Sequence, residues 1–297
     1  MNAASVRAVR SFNRTVTERI GALDEQYLGT GRPLGQARML WEIGWDGADV
    51  RDLRLRLALD SAYASRLLRS LERQGLVEME AGAPDRRVRR ARLTVAGKRE
   101  RRDLDRLSDE HAASMLTPLD ATQRTRLQAA MAEVERLLRA SLIEIEIADP
   151  ASEDVRGCLD QYFAELAERF EGGFDRTQTP QISPEELTPP NGLVLVARLR
   201  GRPVGCGSLL FHGRAPAYLK RMWISPDVRG AGLGRRLLLE LERHAARVGG
   251  VSVVQLETNR VLTEAIALYR ATGYVEVERF NDETYAHHWF EKRVRPD

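Results

Sequence analysis

Three glycines spaced two apart, Gly230, Gly232 and Gly234, stand between Arg229 and the pair Arg235-Arg236. Before them, residues 217–224 read as a strand that ends at Pro226. After them, Leu237, Leu241 and Ala245 fall in helical register. Glycine lets backbone approach an anion closely. The first N–H groups of a helix lack intrahelical acceptors and carry the positive end of its dipole. Together these features suit a phosphate or pyrophosphate. A dinucleotide fingerprint would place a third glycine where Arg235 stands, and no Gly-x4-Gly-Lys-Ser/Thr loop occurs.

A second group of residues lies further on. Val251 to Glu257 reads as a buried strand, Asn259 follows it, and a helix from Thr263 to Ala271 stops at Gly273. The run Arg229-Gly230-Ala231-Gly232-Leu233-Gly234 has the form Arg/Gln-x-x-Gly-x-Gly/Ala. With Asn259, Ala265, Leu268-Tyr269 and Gly273-Tyr274 downstream, residues 143–297 resemble the GNAT superfamily of N-acetyltransferases.

The resemblance implies an α/β mixed-sheet fold, acetyl-CoA as cosubstrate, no metal, and direct attack of an amine on the thioester. It assigns the pyrophosphate to amides of Arg229, Gly230, Ala231, Gly232, Leu233, Gly234 and Arg235. The pantetheine arm falls to the strand Met222-Trp223-Ile224, with the amide of Met222 or Ile224 facing the thioester oxygen. Asn259 and Tyr269 complete the cofactor set, and Tyr269 is the general acid for the departing thiolate. Glu257 can deprotonate the amine, directly or through water, or serve as a structural or substrate-binding carboxylate. The segment Phe280 to Phe290 is expected to border the acceptor. His287 and His288, read as strand neighbours, point to opposite faces and cannot share a metal. Cys206, between Gly205 and Gly207, is expected to pack rather than react.

Charge is distributed unevenly. Residues 1–142 hold 26 Lys+Arg against 20 Asp+Glu, whereas residues 143–297 hold 20 against 23. Nine of the seventeen residues from Arg86 to Arg102 are basic. Upstream, Val50, Leu53 and Leu57 mark a short helix. A tight connection leads to a second helix from Ser61 to Gln74, capped by Asp60 or Ser61 and stopped at Gly75. On it, Ala64, Leu67, Leu68 and Leu71 form the buried stripe, while Arg66, Arg69 and Arg73 share another face. A hairpin follows, with strands at Val77–Glu80 and Val88–Thr94 and with Arg86 and Arg87 at its tip. A second helix rich in small polar residues and arginines, followed by a basic hairpin, suits the major groove of a duplex and the phosphates beside it.

These residues, from Leu59 to Leu68 and from Asp85 to Thr94 with Ala96-Gly97, resemble the MarR family of winged helix-turn-helix regulators. The resemblance covers 1–142. It implies a mainly α domain that forms a homodimer through the first helix (about 5–28) and two last helices (about 95–116 and 120–142). It also implies a pseudo-palindromic double-stranded DNA operator. The contacts fall on Ser61, Ala62, Ser65, Arg66 and Arg69, with Arg86 and Arg87 at the wing tip. Asp85 is expected to orient the wing arginines.

At 297 residues, 43% hydrophobic and 30% charged, the chain has the length of two domains and the composition of a globular protein. No apolar run approaches the roughly 20 residues of a membrane span, and two cysteines cannot frame a disulfide scaffold. The expected setting is the cytoplasm. Patterning changes near 142: Leu127, Met131, Val134 and Leu138 keep helical spacing, then Ile143, Ile145 and Ile147 alternate with glutamates. The leading expectation is a regulator and acetyl-CoA-dependent N-acetyltransferase in one chain, acting on an amine of a small molecule or a protein lysine. A regulator whose second domain only senses acyl-CoA or an amine is the alternative, and an enzyme that uses its winged helix only to dimerise is a third.

Overall fold

The computed structural model describes residues 2–24, 26–81, 89–213, 216–247 and 251–295. The chain forms two compact units, Met1–Gln128 and Ala129–Asp297. The division falls inside a helix (α6, Ala121–Ser141). Asp120 caps that helix by accepting the Gln123 N–H at 2.8 Å, and Gln123 returns the bond to the Asp120 N–H at 3.0 Å.

The first unit contains α1 (Ala3–Arg19), α2 (Leu34–Ile43), α3 (Val50–Leu57), α4 (Ser61–Arg73) and α5 (Val95–Leu116). Its strands are β1 (Ala48–Asp49), β2 (Val77–Ala81) and β3 (Arg89–Leu93), in the order β1-β3-β2. Met39, Leu40, Ile43, Leu53 and Leu71 form a fully buried centre. α4 begins where Asp60 accepts the Tyr63 N–H at 2.8 Å and ends before Gly75 at a left-handed φ of 69°. α1 buries none of its residues, and Val6, Val9 and Phe12 are exposed along it.

The second unit is a seven-stranded mixed sheet in the order β4-β5-β6-β7-β8-β10-β9. Its strands are β4 (Ile143–Ala148), β5 (Gly192–Leu199), β6 (Arg202–Leu210), β7 (Ala217–Ile224), β8 (Val253–Thr258), β9 (Val275–Val277) and β10 (His288–Arg293). Alternation along β5 divides the core. Val194 and Val196 pack with α7 (Glu153–Arg169). Leu193 and Leu195 pack with α8 (Leu233–Arg247) and α9 (Thr263–Ala271) on the other face. His287 precedes β10 rather than belonging to it, so the two histidines are not strand neighbours; His288 pairs with Glu276 at 2.6 Å. Among the described residues, no helix is long and apolar enough to cross a membrane.

β7 and β8 are the parallel pair, and they touch only at their beginnings, Ala217 opposite Val254 and Tyr218 opposite Gln255. Beyond Tyr218 the two strands part. On the other edge of β7, Ser208 faces Lys220 while Cys206 faces Trp223, so β7 carries one extra residue there. This bulge places Arg221 at φ 54°, a left-handed conformation uncommon for a side-chain-bearing residue.

Candidate functional site

The parting of β7 from β8 opens a cleft of about 440 Å³. One side of it is Met222, Trp223 and Ile224 of β7. Its floor is the turn into α8, with Arg229, Gly230, Gly232, Leu233, Gly234 and Arg235. The opposite wall is α9, through Ala265, Leu268 and Tyr269. Ala231 stands outside this lining and borders a separate hollow that Arg136 also lines.

The floor is shaped by what its glycines lack. Gly230 and Gly232 have φ of 78° and 79°. A Cβ added at Gly232 would meet nothing within 4 Å, whereas one at Gly230 would lie 2.5 Å from the Arg136 Nη1. Arg136 donates to the Gly230 carbonyl at 2.8 Å, so this carbonyl is already occupied by a cation of α6. Arg236 ties the same region down by donating to the Ala140 and Ile143 carbonyls at 2.7 and 2.9 Å. The first-turn amides of α8 have no acceptor within their own helix. An open glycine turn, free helix amides, the Arg229 and Arg235 cations and an apolar wall fit a pyrophosphate followed by an apolar-walled channel for a thioester arm.

α7 supplies the fourth side through Tyr162, Glu165, Leu166 and Arg169, none of which the sequence patterns single out. Glu165 accepts from Trp223 Nε1 at 2.9 Å, from Arg229 at 2.5 Å and from Arg169 at 3.1 Å. Burial works against its charge, but the donors led by Arg229 outweigh it and hold the carboxyl below its ordinary range. The carboxylate thereby joins β7, the glycine turn and α7. The clue in the sequence is the capping Ser152 followed by helical spacing of Val155, Cys158, Leu159, Tyr162 and Leu166.

Tyr269 is 6% exposed and lines both this cleft and a second cavity on its far side. Burial, reinforced by the Glu257 charge, pushes its phenol well above the usual tyrosine value. The hydroxyl therefore keeps its proton and can donate it. Tyr162, also shared by the two cavities, is shifted the same way, again chiefly by burial.

The second cavity is lined by Lys220, Arg221, Glu257, Asn259, Glu283 and aromatic side chains. Lys220 bridges Glu257 and Glu283, the latter at 2.5 Å, and Asn281 Nδ2 donates to the other Glu257 oxygen at 3.1 Å. Burial opposes the Lys220 charge, yet the two carboxylates prevail and raise its pKa. Glu257 is thus present at the cavity but already engaged on both oxygens. Asn259 stands on this side rather than in the cleft. Its amide oxygen accepts the Val261 N–H at 3.0 Å and its amide nitrogen donates to the Tyr285 carbonyl at 2.7 Å, shaping the turn after β8. From the segment 280–290, Glu283, Tyr285 and Ala286 reach the cavity. Cys206 is buried; its contact with the Cys158 thiol and its burial raise its pKa well above the ordinary value, which disfavours a nucleophilic thiolate.

In the first unit, α4 turns Ala64, Leu67, Leu68 and Leu71 inward, and leaves Ser61, Ala62, Arg66 and Arg69 exposed with Ser65 half-buried. Arg66 lies over the Tyr63 ring at 5.5 Å, and Arg69 donates to the Ser65 carbonyl at 3.2 Å. Neither is ion-paired with Glu72 among the described residues. Arg86, Arg87 and Asp85 lie outside the described residues. Among those described, no group of three His, Cys, Asp or Glu could hold a metal ion.

Comparison with known proteins matches both regions. Residues 159–274 match the acetyltransferase (GNAT) family and residues 29–88 match the MarR family. An IAA acetyltransferase of Azospirillum brasilense is 34% identical over 119 residues, which is 40% of this chain and 72% of the relative. The N-alpha-acetyltransferase RimI of Mycobacterium tuberculosis is 35% identical over 121 residues, 39% of this chain and 73% of that one. Among solved structures, wild-type MarR from E. coli in its apo form aligns at 20% identity and a TM-score of 0.38, covering 42% of this chain and 94% of that one.

Proposed function

Since the chain belongs to the GNAT acetyltransferase family and carries a MarR-family winged helix ahead of it, we propose that it is a dimeric DNA-binding regulator whose second unit is an acetyl-CoA-dependent N-acetyltransferase. The observation that carries the catalytic half is the cleft between the parted β7 and β8, with the glycine turn at one end and the Tyr269 phenol where the two cavities meet. Acetyl-CoA supplies an activated acyl group, whose carbon–sulfur bond is exchanged for a carbon–nitrogen bond to the amine as the CoA thiol is released.

The chain's own residues divide the remaining tasks. The amides from Arg229 to Arg235 and the flanking guanidiniums hold the diphosphate. The β7 backbone freed by the parting, at Met222 to Ile224, offers hydrogen bonds to the pantetheine amides and a donor for developing oxyanion charge. Tyr269 Oη retains its proton for the leaving sulfur. Glu257, anchored by Lys220 and Asn281, places negative charge where an ammonium enters and relays its proton outward through water.

For the regulatory half, the exposed face of α4 supports insertion into a major groove, and the uncovered apolar side chains of α1 support pairing with a second copy. The full-length protein should bind acetyl-CoA in calorimetry, release CoA thiol with members of a broad amine panel, and protect DNA in footprinting of its own upstream region. Acetyl-CoA binding without turnover of any amine would reduce the second unit to a sensor. No binding at all would remove the acetyltransferase reading.

A further inference from the structure

The cavity beyond Tyr269 contains two charge clusters of unlike balance. In one, Lys220 is the single ammonium between Glu257 and Glu283, leaving an excess of one negative charge. In the other, Arg221 has no ion pair among the described residues. Its Nη2 donates to the Pro180 carbonyl at 3.1 Å, and its guanidinium lies 5.6 Å from the Phe163 ring centroid. Arg176 stands over the same ring at 4.3 Å, which brings a second cation to that side. Burial pulls the Arg221 pKa down and the Arg176 charge adds to it, together outweighing the opposing charge of Glu283.

Backbone geometry explains how Arg221 comes to line the cavity. It is the left-handed residue in the β7 bulge, which breaks strict alternation of side chains along the strand. A half-buried, unpaired cation at a bulge is costly unless something recovers the charge interaction, and an anionic ligand does so. The rest of the wall is aromatic. Phe163, Phe170, Phe174 and Tyr285 form a cluster with ring centroids 5.0 to 5.8 Å apart.

Resting on the acetyltransferase reading above, we propose that the acceptor is a free α-amino acid with an apolar, preferentially aromatic side chain. Its ammonium meets the Glu257–Glu283 end, its carboxylate meets Arg221, and its side chain lies against the phenylalanines. Such a zwitterion offsets the surplus charge of both clusters at once, which a simple amine or a polyamine cannot do. The products are an N-acetylamino acid and the CoA thiol. The exchange of a carbon–sulfur for a carbon–nitrogen bond needs no oxidant or further reactant.

The test compares L-phenylalanine with 2-phenylethylamine, which lacks only the carboxylate, and with a peptide bearing N-terminal phenylalanine. A charge-assisted hydrogen bond of roughly 1.5–3 kcal/mol predicts that kcat/KM for phenylalanine exceeds that for phenylethylamine by about 10- to 100-fold. The difference should lie mainly in KM. In Arg221→Gln the ratio should collapse to near one, and Arg221→Lys should recover part of it; acetyl-CoA calorimetry checks that each variant is folded. Equal or better use of phenylethylamine or the peptide, or an unchanged ratio in Arg221→Gln, overturns the proposal. Binding of N-acetyl-L-phenylalanine against N-acetyl-2-phenylethylamine, measured with CoA present, separates the two levels. Selective binding of the carboxylate without turnover sinks acetyl transfer and keeps the anion site, whereas equal binding sinks the anion site whatever the turnover.

Discussion

Along α4 the apolar stripe Ala64, Leu67, Leu68 and Leu71 is buried, and the arginines on the remaining face project from Cα atoms whose positions the helix dictates. At 229–235 the polar surface comes from leaving side chains out at Gly230, Gly232 and Gly234, so that backbone itself is bared at the cleft. The first region presents long, solvated, movable cations, suited to a phosphate backbone whose contacts are interchangeable and screened by salt. The second presents short, fixed dipoles beside a carboxylate network of Glu165, Arg229 and Trp223, suited to one ligand in one pose. Substitutions should therefore fail differently in the two places, in steep steps at the cleft and in graded, salt-dependent steps on the helix.

The largest effect is expected at Tyr269. Tyr269→Phe removes the hydroxyl proposed as proton donor while keeping the ring that packs near Tyr274 and Phe290. kcat for CoA release should fall by about 10²–10⁴-fold with little change in acetyl-CoA affinity, measured by thiol release and calorimetry. Because burial raises this phenol above its ordinary value of 10.0, the wild-type kcat profile should show no alkaline loss from Tyr269 below that pH. A phenol donor is competent while protonated and is lost only as pH rises through its elevated value.

Next comes the exposed face of α4, proposed to meet DNA. Arg66→Ala with Arg69→Ala should weaken binding to the upstream region by about 1–3 kcal/mol per arginine and flatten the dependence of log K on log salt. A salt series of gel shifts reads both quantities, and an unchanged slope would remove these arginines from the phosphate contacts. Gly230→Val should follow at roughly tenfold weaker acetyl-CoA binding, because its Cβ collides with Arg136 and its φ is left-handed. Smallest is Thr94→Ala. It deletes the cap that accepts the Gly97 N–H at 3.0 Å at the start of α5, and should cost about 1 kcal/mol, read as a modest drop in the Tm of the first unit.

Much of the local architecture was legible in advance. The extents of α4 and α9, the cap at Asp60, and the strand leading into the glycine turn follow from periods of 3.6 and 2 and from residues with narrow backbone preferences. The polar-aromatic run before Phe290 has no clear period, so it does not reveal that β10 starts at His288 and leaves His287 outside. Asn259 takes its place from its position in the motif, and only the fold shows that its amide bridges the Val261 N–H and the Tyr285 carbonyl in the turn after β8. The local pairs Glu165–Arg169 and Glu133–Arg136 say nothing of the cleft, because the partners that bring Glu165 and Arg136 to it, Trp223 and the Gly230 carbonyl, lie 58 and 94 residues away.

From residue order alone come two units of different charge, a helix with an arginine face, and a glycine-bared anion cradle, because each depends on neighbours within about four positions whose conformational preferences are intrinsic. Folding in three dimensions settles where β7 leaves β8, that a bulge turns Arg221 onto the second cavity, and that Tyr269 stands between two cavities. Those outcomes depend on register between distant strands and on burial, which sum over many weak contacts and leave no trace in any short stretch of chain.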